Sequence, residues 1–417
     1  MNFEAFLSDS GQQDIVAKTR RLGCYLAGEN DRDSGHASEK ALGVQLLVGT
    51  GPRAEILNRH GRKQQVIMLG SNSYLDLTRE PQVIEASRKA LERYGYGMGA
   101  VSLYAGITDM HRDLEKAIAS FCGTEDAVLF PSGYGTNVGV ISALCGKGDV
   151  IINDSANHAS IFDGSVLSGA DLKTYPHGNM KRLEQILQRL PENQKGRLII
   201  SDGVFSMHGD LAQLDVITNL AQQYNARVMV DDAHGLGVVG PGGRGTAAAF
   251  GVGGKVDLHV SMLSKAPGGL GGYCAASADI VRYLRLYGRT YFFSTALPAP
   301  AVAGLLEVFR LLASDSAGRE KLWENIHYIH GGISALGFTI PPASSGIVSV
   351  VVGDEEKLAV FHKELLDEGV YTNIVTYPAV RRKECRLRLC IMNSLEREDM
   401  DDALQALEKA GRRCGVI

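Results

Sequence analysis

The sequence predicts an α/β fold: a mostly parallel sheet with helices packed on both faces, followed by a smaller α+β domain. From about residue 80, short apolar runs of strand length alternate with longer segments of helical spacing, which is the pattern of βαβ units. The short runs are almost continuously apolar, as expected for strands that are buried on both faces. After residue 300 the pattern changes to long helices and two further strands.

The individual elements are predicted from this pattern in chain order. Strands are expected at 64–69, 126–130, 149–154, 197–205, 226–234, 258–263, 346–353 and 385–391. Helices are expected at 81–95, 137–146, 180–190 and from 301 onward. We therefore expect an N-terminal segment at 1–62 that includes a flexible connector at 28–40, a large domain at 63–300 and a small C-terminal domain at 301–417.

Composition excludes several classes of protein. Hydrophobic residues make up 45% of the 417 residues, which is enough for a large core and too much for a disordered chain. The 43 basic and 47 acidic residues leave a net charge of −4, so neither nucleic acid nor a membrane surface is an expected partner. We also expect no membrane span, because no uninterrupted apolar stretch has the roughly 20 residues that one needs.

The N-terminus and the cysteines predict the same compartment. The first ten residues, MNFEAFLSDS, lack the basic and apolar regions of a signal peptide. The seven cysteines are scattered without a C-x-x-C pair, which favours neither a zinc site nor a disulfide framework. We expect a cytoplasmic protein that holds no metal.

Five predicted strands end in polar or small residues. Ligands of open α/β sheets bind outside the carboxyl ends of the strands, so these residues are candidates for one site. They are the PSGYG turn at 131–135, Asp154 with Asn157 and His158, Asp202 with Ser206, Asp231 with His234, and Ser264 with Lys265.

Lys265 is the main candidate for covalent chemistry. It follows an apolar strand and precedes the run APGGLGG, so burial would lower its pKa and leave the amine nucleophilic toward carbonyl groups. A Schiff-base lysine is therefore one hypothesis. The alternative is a lysine on a solvated surface, which is the commoner case for a lone lysine.

Two further motifs suit a pyridine-based cofactor that carries a phosphate. Asp231 could keep a pyridine nitrogen protonated, and His234 could reach the phenolic oxygen of the ring. Ser132, Gly133 and Tyr134 open a predicted helix, and the N–H groups at a helix N-terminus bind phosphate. For each motif a purely structural role, as satisfied polar residues or as an ordinary turn, stays open.

A glycine motif at 235–240 has to be set aside. It matches G-x-G-x-x-G, but it follows DDAH and precedes PGGRG, where a dinucleotide-binding helix would have to begin. We therefore reject a nicotinamide-dependent dehydrogenase.

Four segments together resemble the α-oxoamine synthases. They are NHASIFDG at 157–164, DGVFSM-x-GD at 202–210, VDDAHGLGVVGPGGRG at 230–245 and SK-x-x-GG-x-GGY at 264–273. This family includes serine palmitoyltransferase, 8-amino-7-oxononanoate synthase, 5-aminolevulinate synthase and glycine C-acetyltransferase. The resemblance extends from about residue 45 to the C-terminus. It implies aminotransferase fold type I, a large domain that binds pyridoxal 5'-phosphate (PLP), and a C-acyltransferase activity.

The resemblance implies roles for the matching residues. Lys265 would bind the cofactor covalently, and Asp231 would pair with the pyridine nitrogen; these two would act in catalysis with His158 and His234. The implied cofactor contacts are His234 and Ser206 at the phenolic oxygen, His158 on the ring face, Ser132, Gly133 and Tyr134 at the phosphate, and Ser264 beside the lysine.

Two other pairs of residues match the family at the substrate and at a subunit boundary. Asn72 and Arg388 match residues that contact the amino-acid carboxylate, which suits a bidentate guanidinium. Ser294 and Thr295 match a segment that reaches the phosphate from the neighbouring subunit. The resemblance therefore implies a homodimer with shared active sites.

The sequence departs from the family pattern at several positions. Asp76 replaces a usual glycine, and His208 replaces a usual aspartate. Met262 replaces a threonine that contacts the phosphate, unless Ser261 compensates. The basic triplet at 381–383 suits an acidic carrier protein or the phosphates of CoA, or it is a solvated turn.

The resemblance implies a decarboxylative Claisen condensation that yields an α-aminoketone. The expected substrates are a small amino acid (serine, glycine or alanine) and an acyl thioester, either acyl-CoA or acyl carrier protein, as in serine palmitoyltransferase. The alternatives are glycine C-acetyltransferase, a PLP-dependent aminotransferase, and a non-catalytic partner subunit. The intact Lys265 disfavours the last of these.

Overall fold

A seven-stranded sheet is the largest element of the computed structural model, which describes residues 44–58, 61–191, 194–314 and 316–417. Its strand order is β4-β10-β9-β8-β7-β5-β6. The strands are β4 (Asp126–Phe130), β5 (Val150–Asp154), β6 (Asp171–Tyr175), β7 (Arg197–Asp202), β8 (Arg227–Asp231), β9 (Leu258–Met262) and β10 (Gly272–Ala276).

Strand direction places the carboxyl ends of six strands at one edge of this sheet. β5, β6, β7, β8 and β9 pair in parallel. β10 runs antiparallel to both of its neighbours, β9 and β4, so β4 points the same way as the parallel strands. The mostly parallel sheet that the sequence predicts is therefore confirmed, with one reversed strand.

Apolar residues of the central strands alternate between two cores. Ile151 and Ile200 belong to one cluster, while Val150, Ile152 and Ile199 belong to another. Because successive strand residues point to opposite faces, both faces of the sheet are covered, and the two-sided burial explains the nearly continuous apolar runs in the sequence.

Helices cover these faces and continue into the C-terminal part. The described helices are α1 (Pro81–Tyr94), α2 (Asp109–Cys122), α3 (Gly133–Leu144), α4 (Ala159–Ser168), α5 (Met180–Gln188), α6 (Leu214–Gln223), α7 (Thr246–Ala249), α8 (Ala278–Tyr287), α9 (Arg289–Phe292), α10 (Ala299–Ser314), α11 (Ala317–Ala335), α12 (Glu355–Asp367) and α13 (Arg397–Arg413). None of them is long and apolar enough to cross a membrane.

Two smaller sheets complete the fold. One has the order β1-β2-β3-β12 and the other β11-β14-β13. Their strands are β1 (Gln45–Val48), β2 (Arg53–Leu57), β3 (Lys63–Met68), β11 (Ile347–Val351), β12 (Val370–Tyr371), β13 (Asn373–Val375) and β14 (Arg386–Cys390). β3 pairs in parallel with β12, so the chain before the large sheet is joined to the C-terminal part.

The predicted domain limits are not settled by these pairings. The division at 1–62, 63–300 and 301–417 stays a prediction. The connector predicted at 28–40 lies outside the described residues.

The backbone at Asp76 explains one departure from the family pattern. Asp76 has a φ of +49°, a left-handed conformation that glycine adopts freely and that aspartate tolerates better than most residues. An aspartate can therefore stand where the family usually has glycine.

The glycine motif at 235–240 forms turns between β8 and α7. No helix follows the strand directly, as a dinucleotide-binding motif would require.

Candidate active site

The carboxyl edge of the large sheet holds a cavity of about 190 Å³. Most of the predicted cofactor residues reach it, although they come from five separate segments. The lining residues are Gly133, Tyr134, His158, Asp202, Val204, Ser206, Asp231, Ala233, His234, Met262, Ser264 and Lys265.

Lys265 and His234 are directly hydrogen-bonded in this cavity. Lys265 Nζ lies 2.8 Å from His234 Nε2. The other ring nitrogen, Nδ1, lies 2.7 Å from the hydroxyl of Tyr74, in a buried contact. The imidazole is therefore held at both nitrogens, between a lysine and a tyrosine.

The pKa values of these two groups are depressed. Burial lowers the pKa of Lys265 to about 8, and Arg388 adds to the decrease while Asp231 and Asp202 oppose it. Burial, together with the positive charges of Lys265 and Arg388, holds the pKa of His234 well below its usual value. A largely neutral imidazole therefore faces an amine that is partly deprotonated near neutral pH, as a nucleophilic lysine requires.

Asp231 and Asp202 end neighbouring strands at the same level. The two residues are register partners on β8 and β7. Asp231 accepts hydrogen bonds from Asn137 Nδ2 at 2.7 Å and from the backbone N–H of Ala233 at 3.1 Å. Burial, followed by the charge of Asp231, raises the pKa of Asp202 well above its usual value. A carboxyl group fixed by two donors thus lies beside a second carboxyl group that favours the acid form.

The N-terminus of α3 forms another wall of the cavity. Ser132 caps the helix by accepting a hydrogen bond from the N–H of Gly135 at 3.0 Å. A Cβ at Gly133 would overlap the sulfur of Met262, so a larger residue there would require the Met262 side chain to move. The N–H groups of this first turn suit an anion.

Ser261 does not compensate for the missing threonine at position 262. Its hydroxyl donates to the carbonyl of Asp232 at 3.0 Å, and it is absent from the cavity wall, which Met262 lines. Because adjacent strand residues point to opposite faces, a serine at 261 cannot take the place of a threonine at 262.

His158 sits at the start of α4, on the exposed side of the cavity. Its Nδ1 lies 2.8 Å from the hydroxyl of Ser160, and that hydroxyl accepts from Asn137 Nδ2 at 2.9 Å. Asn137 therefore connects His158, through Ser160, to Asp231. This chain of hydrogen bonds orients two of the predicted site residues together.

Asn72 and Arg388 lie together beside this cavity without lining it. Arg388 is buried and donates from Nη2 to Asn72 Oδ1 at 3.1 Å and from Nε to the carbonyl of Ser206 at 2.6 Å. These two residues are 316 positions apart in the sequence. Arg388, on β14, thereby contacts the segment that follows β7 of the large sheet.

Ser294 and Thr295 are not brought to the cavity of their own chain. They follow α9, and Thr295 is exposed and forms an isolated β-bridge with Val101. Their predicted contact with a phosphate thus requires a second subunit, and it stays a prediction.

One group of potential metal ligands lies at the same sheet edge, outside the cavity. Within the described part of the chain, His177, His208 and Asp210 place one donor atom each within 4.8 Å of one another. His177 bonds Asp154 at 3.1 Å and Asp210 at 3.0 Å. Although burial opposes the charge, these hydrogen bonds raise the pKa of His177 to about 10. His177 is thereby held as an imidazolium between two carboxylates, whereas His208 Nδ1 and Asp210 Oδ1 are buried without a hydrogen-bond partner among the described residues.

Sequence reasoning missed two residues of this site and gave a third no role. Tyr74 lies outside every predicted element and motif, and Asn137 is predicted only as the first residue of the helix at 137–146. Asp202 is predicted at a strand end without a function. A polar residue on an otherwise apolar helix face, such as Asn137 in NVGVISAL, was the available signal.

The residues present fit pyridoxal phosphate. A lysine with a lowered pKa, a buried aspartate and a glycine-bearing helix N-terminus surround one cavity. Asp202 Oδ1 is buried there with no hydrogen-bond partner among the described residues. This donor set provides for an aldehyde, a pyridine nitrogen and a phosphate.

Comparisons with known proteins agree with this chemistry. Residues 64–407 match the aminotransferase class I and II family. The chain is 40% identical over 368 residues to 8-amino-7-oxononanoate synthase of Thermoanaerobacter pseudethanolicus, covering 88% of this chain and 92% of the relative. It is 42% identical over 354 residues to 8-amino-7-oxononanoate synthase 1 of Bacillus subtilis, covering 85% and 90%.

A solved structure extends the likeness to the fold. Serine palmitoyltransferase from S. paucimobilis, with a bound PLP–myriocin aldimine, superimposes with a TM-score of 0.91 at 33% identity, covering 97% of this chain and 100% of that one. The predicted fold type, family and cofactor are confirmed. The chain belongs to the α-oxoamine synthases, PLP-dependent acyltransferases of the aminotransferase class I and II family.

Proposed function

We propose that this protein condenses a small amino acid with an acyl thioester, and that the residues predicted from the sequence carry the reaction. The single observation that supports these roles is the cavity in which the Lys265 amine, His234 and the buried Asp231 meet. In the reaction a C–C bond forms between the amino-acid Cα and the thioester carbonyl, the C–S bond breaks, and the amino-acid carboxylate leaves as CO₂.

Each residue of the cavity has a proposed role that follows from its environment. Bound pyridoxal phosphate supplies a ring that delocalises negative charge from Cα. Lys265 takes and returns the Cα proton, because an amine with a pKa of about 8 is partly neutral at physiological pH. Asp231, oriented by a hydrogen bond from Asn137, would pair with a protonated ring nitrogen. His158 would pack on the ring face, and Ser206 and Ser264 would add polar contacts.

Arg388 and Asn72 are proposed to bind the carboxylate of the amino acid. Arg388 is buried at 6% exposure, and its guanidinium has neutral acceptors, Asn72 and the Ser206 carbonyl, among its partners. A carboxylate would provide the bidentate ionic partner that this buried charge lacks there.

The relatives suggest which substrates to try first. The name 8-amino-7-oxononanoate describes a nine-carbon acid with an amino group beside a ketone, which is what alanine and a seven-carbon acyl thioester give after loss of CO₂. We therefore place alanine first, before serine and glycine. Arg381 and Lys383 are exposed and suit the phosphates of CoA or an acidic carrier protein.

A homodimer is proposed from the surface around Ser294 and Thr295. Phe293 is 70% exposed, and Tyr104 is 79% exposed near the bridge between Val101 and Thr295. Exposed aromatic residues that cluster in this way mark interaction surfaces. A second copy of the chain would cover them and bring Ser294 and Thr295 to the neighbouring phosphate.

The cytoplasm is the proposed location, and nucleic acid is not a proposed partner. The six described cysteines are all free thiols, which a reducing compartment favours. The net charge of −4 offers no basic surface for a polyanion.

The reaction is tested by combining a spectrum with a product balance. Protein loaded with pyridoxal phosphate is titrated with alanine, serine and glycine while the visible absorption is recorded, and CO₂, thiol and ketone are then measured with acyl-CoA and acyl-carrier-protein thioesters. One amino acid is expected to perturb the spectrum at low concentration, and CO₂ and thiol should appear in equal amounts.

Other outcomes would contradict the proposal in distinct ways. Formation of a keto acid without CO₂ would indicate an aminotransferase. A marked preference for glycine with acetyl-CoA would indicate a glycine C-acetyltransferase. Failure to bind the cofactor would point to a non-catalytic subunit.

A further inference from the structure

Tyr74 is a fully buried tyrosine whose position is set by the backbone around it. Its carbonyl accepts the N–H of Asn393 at 2.9 Å, which ties its loop to the C-terminal part of the chain. A Cβ on Gly346 would lie 2.7 Å from the Tyr74 ring, so the ring packs against bare backbone. These backbone contacts therefore fix the Tyr74 hydroxyl at 2.7 Å from His234 Nδ1.

This contact decides which tautomer His234 adopts. A neutral imidazole carries one proton, and the hydrogen bond made by one nitrogen determines the role of the other. The Tyr74 hydroxyl has two acceptors within reach: His234 Nδ1 at 2.7 Å, and Asn72 Oδ1 at 3.5 Å, which already accepts from Arg388. The shorter contact makes His234 Nδ1 its acceptor. When Tyr74 donates to Nδ1, the proton of His234 has to reside on Nε2, which faces Lys265 at 2.8 Å.

We propose that Tyr74 is a positioning residue of the active site: its hydroxyl fixes His234 as the Nε2–H tautomer, so that the imidazole presents a hydrogen-bond donor to Lys265 and to the bound cofactor. This inference rests on the proposed function for its kinetic consequence, but the tautomer itself is a property of the chain.

The tautomer matters for the protonation of Lys265. An Nε2–H group donates to a neutral amine and repels an ammonium, so it favours the reactive form of the lysine. Without Tyr74 the imidazole can carry its proton on Nδ1 and accept from the ammonium through Nε2. The other charged or titratable groups that act on Lys265 and His234 are Asp231, Asp202, Arg388, Cys390 and His158. Of these, Arg388 and Cys390 also interact with the Tyr74 hydroxyl, so the His234 signals, and not activity alone, decide the test.

The test is the variant Tyr74→Phe, which keeps the ring and removes the hydroxyl. In apoenzyme labelled with ¹⁵N-histidine, the His234 signals are expected to change from the Nε2–H pattern to the Nδ1–H pattern or to a mixture. The pH midpoint for uptake of pyridoxal phosphate by the apoenzyme should rise by about half a unit or more. In the loaded enzyme, kcat should fall about 10-fold or more with little change in KM for the amino acid.

Tyr175→Phe is the matched control. Tyr175 is also fully buried, on β6 of the seven-stranded sheet. Its hydroxyl has no hydrogen-bond partner among the described residues. It should leave the histidine spectrum, the uptake midpoint and kcat unchanged. A His234→Ala background provides a second check, because Tyr74→Phe should add no further loss there if it acts through His234.

The outcomes separate this inference from the proposed function. Unchanged His234 signals in Tyr74→Phe would overturn it, and so would a fall in kcat with no shift in the uptake midpoint, since that would indicate a structural role only. If the wild-type protein forms no ketone, the proposed function fails, while the apoenzyme spectrum still decides the tautomer.

Discussion

The two edges of the seven-stranded sheet carry cavities of very different size and chemistry. The cavity at the amino edge, where the strands begin, measures about 800 Å³, against about 190 Å³ at the carboxyl edge. The charged or titratable residues around the larger cavity are Glu125, Cys145, Asp149, Arg197, Arg227, Asp257 and His259.

Charges at the amino edge are largely satisfied by one another or by the backbone. Arg227 pairs with Asp257 at 2.9 Å, and Arg197 donates to the carbonyl of Tyr224 at 2.6 Å. At the carboxyl edge, in contrast, Asp202 has one oxygen without a partner among the described residues, and Lys265 has a lowered pKa. Burial shifts the pKa of His259 and Cys145 at the amino edge as well. The reactive edge is therefore marked by the direct contact of Lys265 with His234 beside two buried aspartates, and not by cavity size or by a pKa shift alone.

The direction of the strands explains the asymmetry. The chain enters α3 and α4 directly after β4 and β5, so these helix N-termini lie at the carboxyl edge. Their N–H groups favour anions there, whereas carbonyl groups of helix C-termini face the strand starts. The following predictions test this contrast, each with a matched substitution elsewhere in the chain.

The largest effect is expected from Lys265→Ala. This variant should lose covalent attachment of the cofactor and all measurable condensation, because no other amine lines the cavity among the described residues. Visible absorption and CO₂ release are the measurements, with circular dichroism to confirm the fold. Lys255→Ala, at the amino edge, is the control and should keep full activity. Undiminished turnover in Lys265→Ala would contradict the proposed role of Lys265.

A large but smaller loss is expected from Asp231→Asn. The change removes the charge that would hold a proton on the ring nitrogen while keeping the hydrogen-bonding shape, and kcat should fall about 10²- to 10⁴-fold. Asp257→Asn makes the same change at the amino edge, where Asp257 pairs with Arg227 and accepts the backbone N–H of Val228 at 2.8 Å. Equal kinetic losses in both variants would show that the contrast between the edges is false.

The smallest effect is expected from His177→Gln, which probes stability at the carboxyl edge outside the cavity. The pKa of folded His177, about 10, lies above the ordinary value of 6.5. The charge interaction therefore stabilises the fold fully below pH 6.5, and this contribution is lost as the pH rises through 10.

Unfolding by urea at a series of pH values measures this contribution. His177→Gln should lower the free energy of unfolding by about 1–3 kcal/mol at neutral pH, with a smaller difference above pH 10, and turnover below the unfolding range should be preserved. His327→Gln, at an exposed position on α11, should change neither quantity. A difference that persists unchanged at high pH would contradict the ionic origin.

Many of the strands and helices could be predicted from local patterns in the sequence. The strands at 126–130 and 149–154 and the helix at 81–95 lie within one or two residues of their predicted limits, because periodicity and apolar runs are local properties. Order along the sheet was not predictable in this way. β10 lies between β4 and β9, and nothing in its own five residues encodes those neighbours.

In the candidate site, too, the residues that could be predicted are those with a local signal in the sequence. Lys265, Asp231, His234 and the 132–134 turn were predicted because each directly follows a strand. Tyr74 was missed because it follows β3, a strand of a different sheet. The doubtful role of Ser261 was resolved only by its side-chain direction, toward the Asp232 carbonyl.

The sequence by itself determined which chemical groups this protein offers: a lysine after an apolar strand, an aspartate and a histidine three residues apart, and a small-residue turn at a helix start. The tertiary structure alone decided which of them meet. Arg388 reaches Asn72 across 316 positions, and Tyr74 reaches His234 across 160. Such contacts depend on strand order and on packing between distant segments, whereas local periodicity constrains only residues within a few turns or strand lengths of one another.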